Sequence, residues 1–183
     1  AARDIMLGRV EEYDVGRWGD RYFSYVASFG AFTRVSYSTP QNLKNTLGHL
    51  AYVLSGITEL PQIRSIPMAL GLDGEKIEGT YLIGAVTNST SVGGILTLDP
   101  KQVDMSDGKF EVLLIRAPKD LLELSECIIA LQKQTYNCAM ITFLSTPSVQ
   151  VTAPKDMPWT LDGEKEEGHA VVQVRNLHHA IRI

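Results

Sequence analysis

The sequence predicts a mainly β protein with two helices, folded as an antiparallel β-sandwich with the helices against one side. Six short runs are rich in β-branched and aromatic residues, as strands are. Two longer runs repeat apolar residues every three or four positions, which is the helical period. The strand-like runs follow one another in pairs instead of alternating with helices, and this order favours antiparallel sheets.

The six β runs are each bounded by Gly, Pro, Asp or Asn, which end strands and begin turns. In chain order they are RYFSYVASF (21–29), TYLIGAVTN (80–88), KFEVLLIRA (109–117), AMITFLS (139–145), SVQVTA (148–153) and HAVVQVRN (169–176). No linker or low-complexity stretch divides them, so residues 1–183 are predicted to form a single domain.

Two amphipathic runs predict the helices. The first begins at Thr39 as N-cap with Pro40 in the first turn and ends at Gly56. The second begins near Asp120 and ends near Lys133, which suits the helix dipole. Each has one apolar face that we expect in the core: Leu43, Leu47, Leu50, Ala51 and Leu54 in the first; Leu121, Leu124, Ile128 and Leu131 in the second.

Composition excludes several classes of protein. The net charge of −4 gives no overall field that would attract nucleic acid. No apolar run is long enough to span a bilayer, and AARDIMLGRV lacks the pattern of a signal peptide, so a cytoplasmic chain is expected. Cys127, in a helical run, and Cys138, at the start of a strand-like run, are interpreted as small buried apolar groups, because two cysteines make no zinc knuckle.

One octapeptide occurs twice with small changes, as LDGEKIEG (72–79) and LDGEKEEG (161–168). Asp-Gly tolerates the positive φ that a two-residue hairpin turn requires, so a pair of turns explains both copies. The flanking sequences do not match, which argues against a duplicated unit. Whether one copy also carries chemistry stays open at this point.

Common catalytic and metal-binding motifs are absent. There is no phosphate-binding Gly-rich loop and no Gly-x-Ser-x-Gly. The four histidines (His49, His169, His178, His179) show no metal-ligand spacing, and the neighbours His178 and His179 are expected on opposite faces of a strand. DMSDGK is no EF-hand loop, because Val103, Met105 and Leu114 would occupy oxygen-ligand positions.

Four stretches taken in order resemble a known family. They are YDVGRWGDRYFSYVASFGAFTRV (13–35), NTLGHLAYVLSGI (45–57), VTNSTSVGGILTLDPKQVDMSDGKFEVLLI (86–115) and WTLDGE (159–164). Together they resemble the C-terminal domain of the bacterial soluble diacylglycerol kinase and lipid kinase family, part of the superfamily that includes sphingosine kinase-like proteins. The likeness runs from Val10 to Ile183. Members carry a separate ATP-binding domain with a Gly-Gly-Asp-Gly-Thr loop, which has no counterpart in this sequence.

The resemblance distinguishes the two octapeptides. The family's Asp-Gly-Glu near the C-terminus matches Asp162, Gly163 and Glu164, whereas Asp73, Gly74 and Glu75 match a simple turn. It implies that Glu164 accepts the proton of the lipid hydroxyl, with Asp162 orienting it or helping to hold a metal. In related lipid kinases an aspartate of the ATP-binding domain is an alternative base.

The resemblance also implies two further sites. By that resemblance a magnesium ion would be held by Asp107 with the backbone carbonyls of Asp104 and Lys109, which suits a hard cation; the alternative is an Asp-Gly turn before the following strand. The stretch NSTSVGG places Asn88, Gly93 and Gly94 in a loop that lines the cofactor cleft or makes an ordinary connection.

The function that the resemblance implies is the substrate-side half of an ATP-dependent lipid kinase acting in phospholipid biosynthesis. The lipid is expected to be diacylglycerol or similar, ATP to be bound mainly by the other domain, and Mg²⁺ to be the metal. Peripheral contact with the inner membrane face is expected, a homodimer is possible, and this chain alone should be inactive. The alternative is a non-enzymatic β-sandwich module that binds a lipid or sugar in an apolar cleft.

Overall fold

The structure is a computed structural model that describes residues 8, 10–30, 65–72, 75–92 and 96–183. The predicted first helix, the Asp73-Gly74 pair, Gly93 and Gly94 lie outside these residues. No helix in the described part is long and apolar enough to cross a membrane.

The described residues form thirteen strands and one helix. The strands are β1 (Glu12–Trp18), β2 (Arg21–Phe23), β3 (Val26–Gly30), β4 (Ile66–Leu72), β5 (Glu75–Thr87), β6 (Ser91–Val92), β7 (Leu96–Thr97), β8 (Phe110–Arg116), β9 (Ile141–Thr146), β10 (Ser148–Thr152), β11 (Trp159–Leu161), β12 (Glu164–Glu166) and β13 (Val171–Arg182). The helix, α1, is Leu121–Lys133. The mainly β prediction is confirmed.

One curled antiparallel sheet holds most of these strands. Its order is β12-β11-β3-β5-β4-β10-β13-β1-β2, with β8 pairing β5 and β9 pairing β8, while β6 and β7 form a separate pair. The long strand β5 changes partners along its length. Its first half pairs with β4, and its second half lies between β3 and β8.

Two hydrophobic cores lie on opposite faces of β5 and β8. Leu113 and Ile115 point into the first core, which α1 covers, whereas Val112 and Leu114 point into the second. The second core also contains both tryptophans, Trp18 and Trp159. This alternation along β8 is the period of two that a strand requires when both of its faces are buried. The result is a sandwich-like arrangement with the helix on one side, as predicted.

Helix α1 is capped as its sequence suggests. The carboxylate of Asp120 accepts a hydrogen bond from the backbone N–H of Glu123 at 2.8 Å, and Gln134 ends the helix in the left-handed region. The prediction that Leu121 is buried was wrong, because its side chain is 79 % exposed in the first turn. The buried face consists of Leu124, Cys127, Ala130 and Leu131, with Ile128 partly buried.

Several strand predictions need correction. The run 21–29 is two strands, because Ser24 and Tyr25 break the ladder between β2 and β3. Strand β9 begins at Ile141 and not at Cys138, which lies partly exposed in the preceding turn. Cys127 is buried, as predicted. Strands β1 and β4 were missed because their residues do not form an uninterrupted β-branched or aromatic run.

Candidate functional site

The Asp162 carboxylate, between β11 and β12, accepts hydrogen bonds from the turn between β2 and β3. Its Oδ2 accepts hydrogen bonds from the Ser24 N–H at 2.7 Å and the Ser24 hydroxyl at 3.1 Å. Its Oδ1 accepts from the N–H groups of Tyr25 and Val26 at 2.9 and 2.8 Å. One carboxylate therefore accepts hydrogen bonds from three backbone N–H groups. They lie where the chain turns between β2 and β3, and strand pairing does not satisfy them there.

The second octapeptide forms the β11–β12 hairpin. Leu161 pairs with Glu164, and Asp162 and Gly163 between them have φ of 49° and 92°. Two positive φ values identify a type I′ turn, which Asp-Gly favours. The Glu164 side chain is exposed beside this turn, and it makes no hydrogen bond or ion pair with any residue that the structure describes. Asp162 thus holds the turn in place while Glu164 stays free to contact another molecule.

The first octapeptide joins β4 to β5. Leu72 pairs with Glu75 in the antiparallel β4–β5 pair, and residues 73–74 lie outside the described residues. Glu75 is exposed.

The predicted metal loop precedes β8. Asp104 Oδ1 accepts from the N–H and hydroxyl of Ser106 at 3.0 and 2.9 Å, and Asp107 Oδ1 accepts from the Lys109 N–H at 2.9 Å. The Lys109 carbonyl accepts from the Asn176 amide at 2.9 Å. Both carboxylates are exposed, and each has lone pairs that these hydrogen bonds do not use. The predicted metal ligands of this loop are all oxygen atoms.

Glu111, just beyond this loop, was not identified from the sequence. On β8 it shares the face of Leu113 and Ile115, and the residue is 1 % exposed. Burial, followed by the negative charge of Asp107, raises the pKa of Glu111 from 4.5 to about 7. Its Oε2 has no hydrogen-bond partner among the described residues. A cation near this oxygen would offset the negative charges of Asp107 and Asp104 that Glu111 experiences.

Asn88 joins the end of β5 to β1. Its amide donates to the Asp14 carbonyl at 2.8 Å, and its backbone N–H donates to the Tyr25 carbonyl at 3.0 Å. The side chain is buried, and Oδ1 has no partner among the described residues. The other two predicted residues of this cleft, Gly93 and Gly94, lie outside the described residues.

Asp14 is a second buried carboxylate that the sequence did not reveal. It is 1 % exposed in β1, and its Oδ2 accepts from the Gly108 N–H at 2.7 Å. Its Oδ1 accepts from the His179 N–H at 2.8 Å and lies 3.0 Å from His178 Nδ1. The sequence offered only a single acidic residue as a signal, and a single acidic residue is usually exposed.

The prediction that His178 and His179 point to opposite faces was wrong. Their rings stack with centroids 3.6 Å apart. The register shifts between Tyr13 and Val15, whose partners are Ile181 and Leu177, so three residues of β13 face one of β1. His179 has φ of 51° in this bulge, which interrupts the alternation and turns both rings to one side.

One chain of hydrogen bonds connects the predicted sites. Asp162 accepts from the backbone of the Ser24–Val26 turn, and the Tyr25 carbonyl accepts from the Asn88 N–H. The Asn88 amide donates to the Asp14 carbonyl, and the Asp14 carboxylate accepts from Gly108 in the predicted metal loop. The structure therefore joins the hairpin, the end of β5 and the acidic loop through Tyr25 and Asp14, which were not among the predicted site residues.

Comparison with known proteins agrees with this fold. A family model described as the YegS C-terminal NAD kinase β-sandwich-like domain matches residues 26–183. A diacylglycerol kinase of Bacillus subtilis (strain 168) is 30 % identical over 164 residues, which cover 90 % of this chain and 54 % of that protein. A diacylglycerol kinase of Staphylococcus saprophyticus is 28 % identical over 166 residues, again covering 90 % and 54 %. The chain spans about half the length of these relatives.

Solved structures share the fold. A diacylglycerol kinase from Bacillus anthracis str. Sterne superimposes with a TM-score of 0.69 at 20 % identity, covering 100 % of this chain and 58 % of that one. An NAD kinase from Archaeoglobus fulgidus in complex with ATP gives 0.54 at 12 % identity, covering 100 % and 57 %. The chain belongs to the YegS C-terminal NAD kinase β-sandwich-like domain family, the C-terminal domain of bacterial diacylglycerol kinase-like lipid kinases.

Proposed function

We propose that this chain is the substrate-side domain of an ATP-dependent lipid kinase that transfers the γ-phosphoryl group to the hydroxyl of a diacylglycerol-like lipid. Relatives named diacylglycerol kinase support the reaction class. The observation that carries the proposal is the hairpin at Asp162, which presents the exposed Glu164 carboxylate from a turn fixed by four hydrogen bonds to residues 24–26.

In this proposal Glu164 accepts the proton of the lipid hydroxyl as the oxygen attacks phosphorus. Phosphoryl transfer depends mainly on positioning and on stabilising charge, so a carboxylate on a rigid turn suits the role. Asp162 is the positioning residue, because both of its oxygens are already occupied by donors of the 24–26 turn. ATP would be held by the other half of the enzyme.

We propose that Asp107 and the carbonyls of Asp104 and Lys109 hold Mg²⁺. All three donors are oxygens, as a hard cation prefers. Burial is the main cause of the raised pKa of Glu111, and the negative charges of Asp107 and Asp104 raise it further; a divalent cation in the loop would offset those charges. The ion would stabilise the loop that Asp14 holds through Gly108.

The assignment of Glu164 is tested by comparing two matched substitutions in the enzyme containing both domains. Glu164→Gln should lower turnover with diacylglycerol about a hundredfold or more, the usual scale for loss of a general base. Glu75→Gln changes the same charge in the same local sequence, LDGEK, and should leave turnover within about twofold. Equal turnover in the two variants would refute the role of Glu164.

The isolated 183-residue chain should not transfer phosphate from ATP to diacylglycerol, because its sequence has no loop that cradles nucleotide phosphates. A radiolabelled-ATP assay on vesicles measures this. Lipid phosphorylation by the isolated chain would contradict the proposal that a separate domain binds ATP.

The metal proposal is tested by melting temperature. Mg²⁺ should raise the melting temperature of the unmodified chain, since a ligand that binds only the folded state stabilises it. Asp107→Ala should abolish this rise, whereas the exposed Asp20→Ala should preserve it. If Mg²⁺ up to millimolar concentrations does not change the melting temperature, the metal proposal is wrong and DMSDGK is only a turn.

We also propose peripheral contact with the inner membrane face, because a diacylglycerol substrate stays in the bilayer. Leu121 and Leu122 are exposed at the start of α1 and would enter the interface. Replacing both by Ser should reduce co-sedimentation with vesicles of phosphatidylglycerol and diacylglycerol more than Ile129→Ser does further along the helix. Equal sedimentation of both variants and the unmodified protein would contradict this contact.

A further inference from the structure

We propose that Asp14, His178 and His179 form a binding site for a borderline transition-metal cation such as Zn²⁺. One ligand atom from each of the three residues lies within 4.8 Å of the other two. Two imidazoles and a carboxylate are a ligand set that suits Zn²⁺, unlike the all-oxygen set of the Asp104–Lys109 loop. This site does not depend on the kinase proposal.

The β-bulge creates the arrangement. In a regular strand, neighbouring side chains point to opposite faces, and two adjacent histidines could not share a metal. Here three residues of β13 face one of β1, and the left-handed His179 turns both rings to the same side. The rings are about half-exposed, so a cation can reach them from solvent, while the Asp14 carboxylate is buried beneath.

The first pair of ligand atoms has a suitable spacing. His178 Nδ1 and Asp14 Oδ1 are 3.0 Å apart. Two ligands of a tetrahedral zinc ion, each about 2.0–2.1 Å from the metal, are roughly 3.3 Å apart. The Asp14 carboxylate is already oriented by the N–H groups of Gly108 and His179, which use only part of its acceptor capacity. Small shifts of these two side chains would therefore make room for a metal ion between the two ligand atoms.

The two ring nitrogens of His179 provide a second observation that fits a cation. Its Nε2 lies 3.2 Å from the Ser106 carbonyl, and its Nδ1 lies 3.2 Å from Glu12 Oε2. Both neighbours are acceptors, but a neutral imidazole carries only one N–H. A cation on one ring nitrogen removes this conflict and leaves the other nitrogen to donate. An acidic partner on a histidine ligand is the usual outer contact of a metal-bound imidazole.

The stacking of the rings argues in the same direction. Two protonated imidazoles with centroids 3.6 Å apart would repel each other. One divalent ion shared by both rings would neutralise the buried Asp14 carboxylate without placing a separate charge on each ring, while Glu12 also pairs with Arg182 at 3.8 Å.

The test is a zinc titration of the tag-free chain after chelation, in excess Mg²⁺, followed by competition with a chromogenic chelator. We expect saturable binding of one Zn²⁺ per chain. His178→Ala and His179→Ala should each weaken it at least tenfold, and His169→Ala, which alters a histidine packed on Trp18, should leave it unchanged. Binding should also weaken on going from pH 7.5 to 5.5, because protons compete for imidazole.

A second measurement guards against misfolded variants. In the unmodified chain, Zn²⁺ should shift the imidazole resonances of His178 and His179 in a nitrogen-15 NMR spectrum and leave those of His169 in place. Lack of saturable binding, an affinity in the His178→Ala and His179→Ala variants that equals that of the unmodified chain, or equal shifts at all three histidines would overturn the proposal.

Discussion

Asp162 shows how one side chain can combine a turn with a long-range contact. Its positive φ makes the hairpin, and its carboxylate binds backbone groups 136 to 138 positions away in sequence. The sequence predicts the turn, because Asp-Gly is a local signal. It does not predict the contact, because nothing near Asp162 indicates that residues 24–26 lie opposite.

Asp162→Asn should therefore destabilise the chain even though asparagine tolerates the same φ. Its amide nitrogen would face N–H donors, and the charge that strengthens the remaining bonds would be lost. We expect a loss of about 1–2 kcal/mol in unfolding free energy, measured from urea midpoints. Asp20→Asn, at a fully exposed position, is the control and should change stability by less than about 0.5 kcal/mol. A similar small change at Asp162 would show that the contact contributes little.

Glu111 makes the stability of the folded chain depend on pH, because burial raises the pKa of its carboxyl group. The folded chain then binds more protons than the unfolded chain between pH 4.5 and about 7. Stability falls as pH rises through this window, and the cost persists above it. The negative charges of Asp107 and Asp104 add to this cost.

Glu111→Gln should remove this loss of unfolding free energy. The measurement is made with a chelator present, so that no metal ion offsets the charge. The variant should exceed the unmodified chain in stability at pH 8, by an amount on the order of 3 kcal/mol at most, and the difference should vanish near pH 4. Urea unfolding at a series of pH values measures it. A difference that does not depend on pH would mean that Glu111 titrates normally.

At the scale of elements, two glycines allow aromatic rings to lie across neighbouring strands. Gly84 in β5 faces Phe29 in β3, and Gly16 in β1 faces Phe23 in β2. A Cβ on Gly84 would lie 1.9 Å from the Phe29 ring, and one on Gly16 would lie 2.1 Å from the Phe23 ring. Each ring fills the space of the missing side chain and covers the partner strand.

Gly84→Ala should lower the unfolding free energy by about 1–3 kcal/mol, because the buried Phe29 ring would have to move. Gly71→Ala is a matched strand control, since the nearest atom to its new Cβ is 3.7 Å away and no strain is expected. Thermal unfolding of both variants measures the contrast. Equal melting temperatures would show that the Phe29 ring moves without cost.

Element type was easier to predict than element pairing. The runs that became β5, β8, β10 and β13 were recognised because their apolar residues are contiguous or alternate. The break at Ser24, the bulge at His179 and the burial of Asp14 were missed. Each depends on a partner distant in sequence, so local propensity carries no information about it. The predicted catalytic and metal residues came from the family resemblance, and their roles remain predictions.

For the molecule as a whole, β8 couples the two cores. Neighbouring residues of this strand, Leu113 and Leu114, are fully buried on opposite faces. A cavity on either side disturbs the backbone that the other side packs against. We therefore expect the chain to unfold as one cooperative unit.

Leu113→Ala and Leu114→Ala should each lower the unfolding free energy by about 2–5 kcal/mol. Both tryptophans report on the second core, so their fluorescence tests the coupling. In Leu113→Ala, which affects the first core, fluorescence and far-UV circular dichroism should still give one coincident urea transition. Separate transitions would show that the cores unfold independently.

The pairing of β1 with β13 determines how the fold responds to force. Glu11 and Ile183 exchange two backbone hydrogen bonds, of 2.8 and 2.9 Å, at one end of this antiparallel pair. Tension applied between these two residues acts across the strands, so it loads the ladder one rung at a time instead of shearing all rungs together. Mechanical resistance along this direction is consequently that of single hydrogen bonds. Strands β1 and β13 would separate from this end before the force reaches either hydrophobic core.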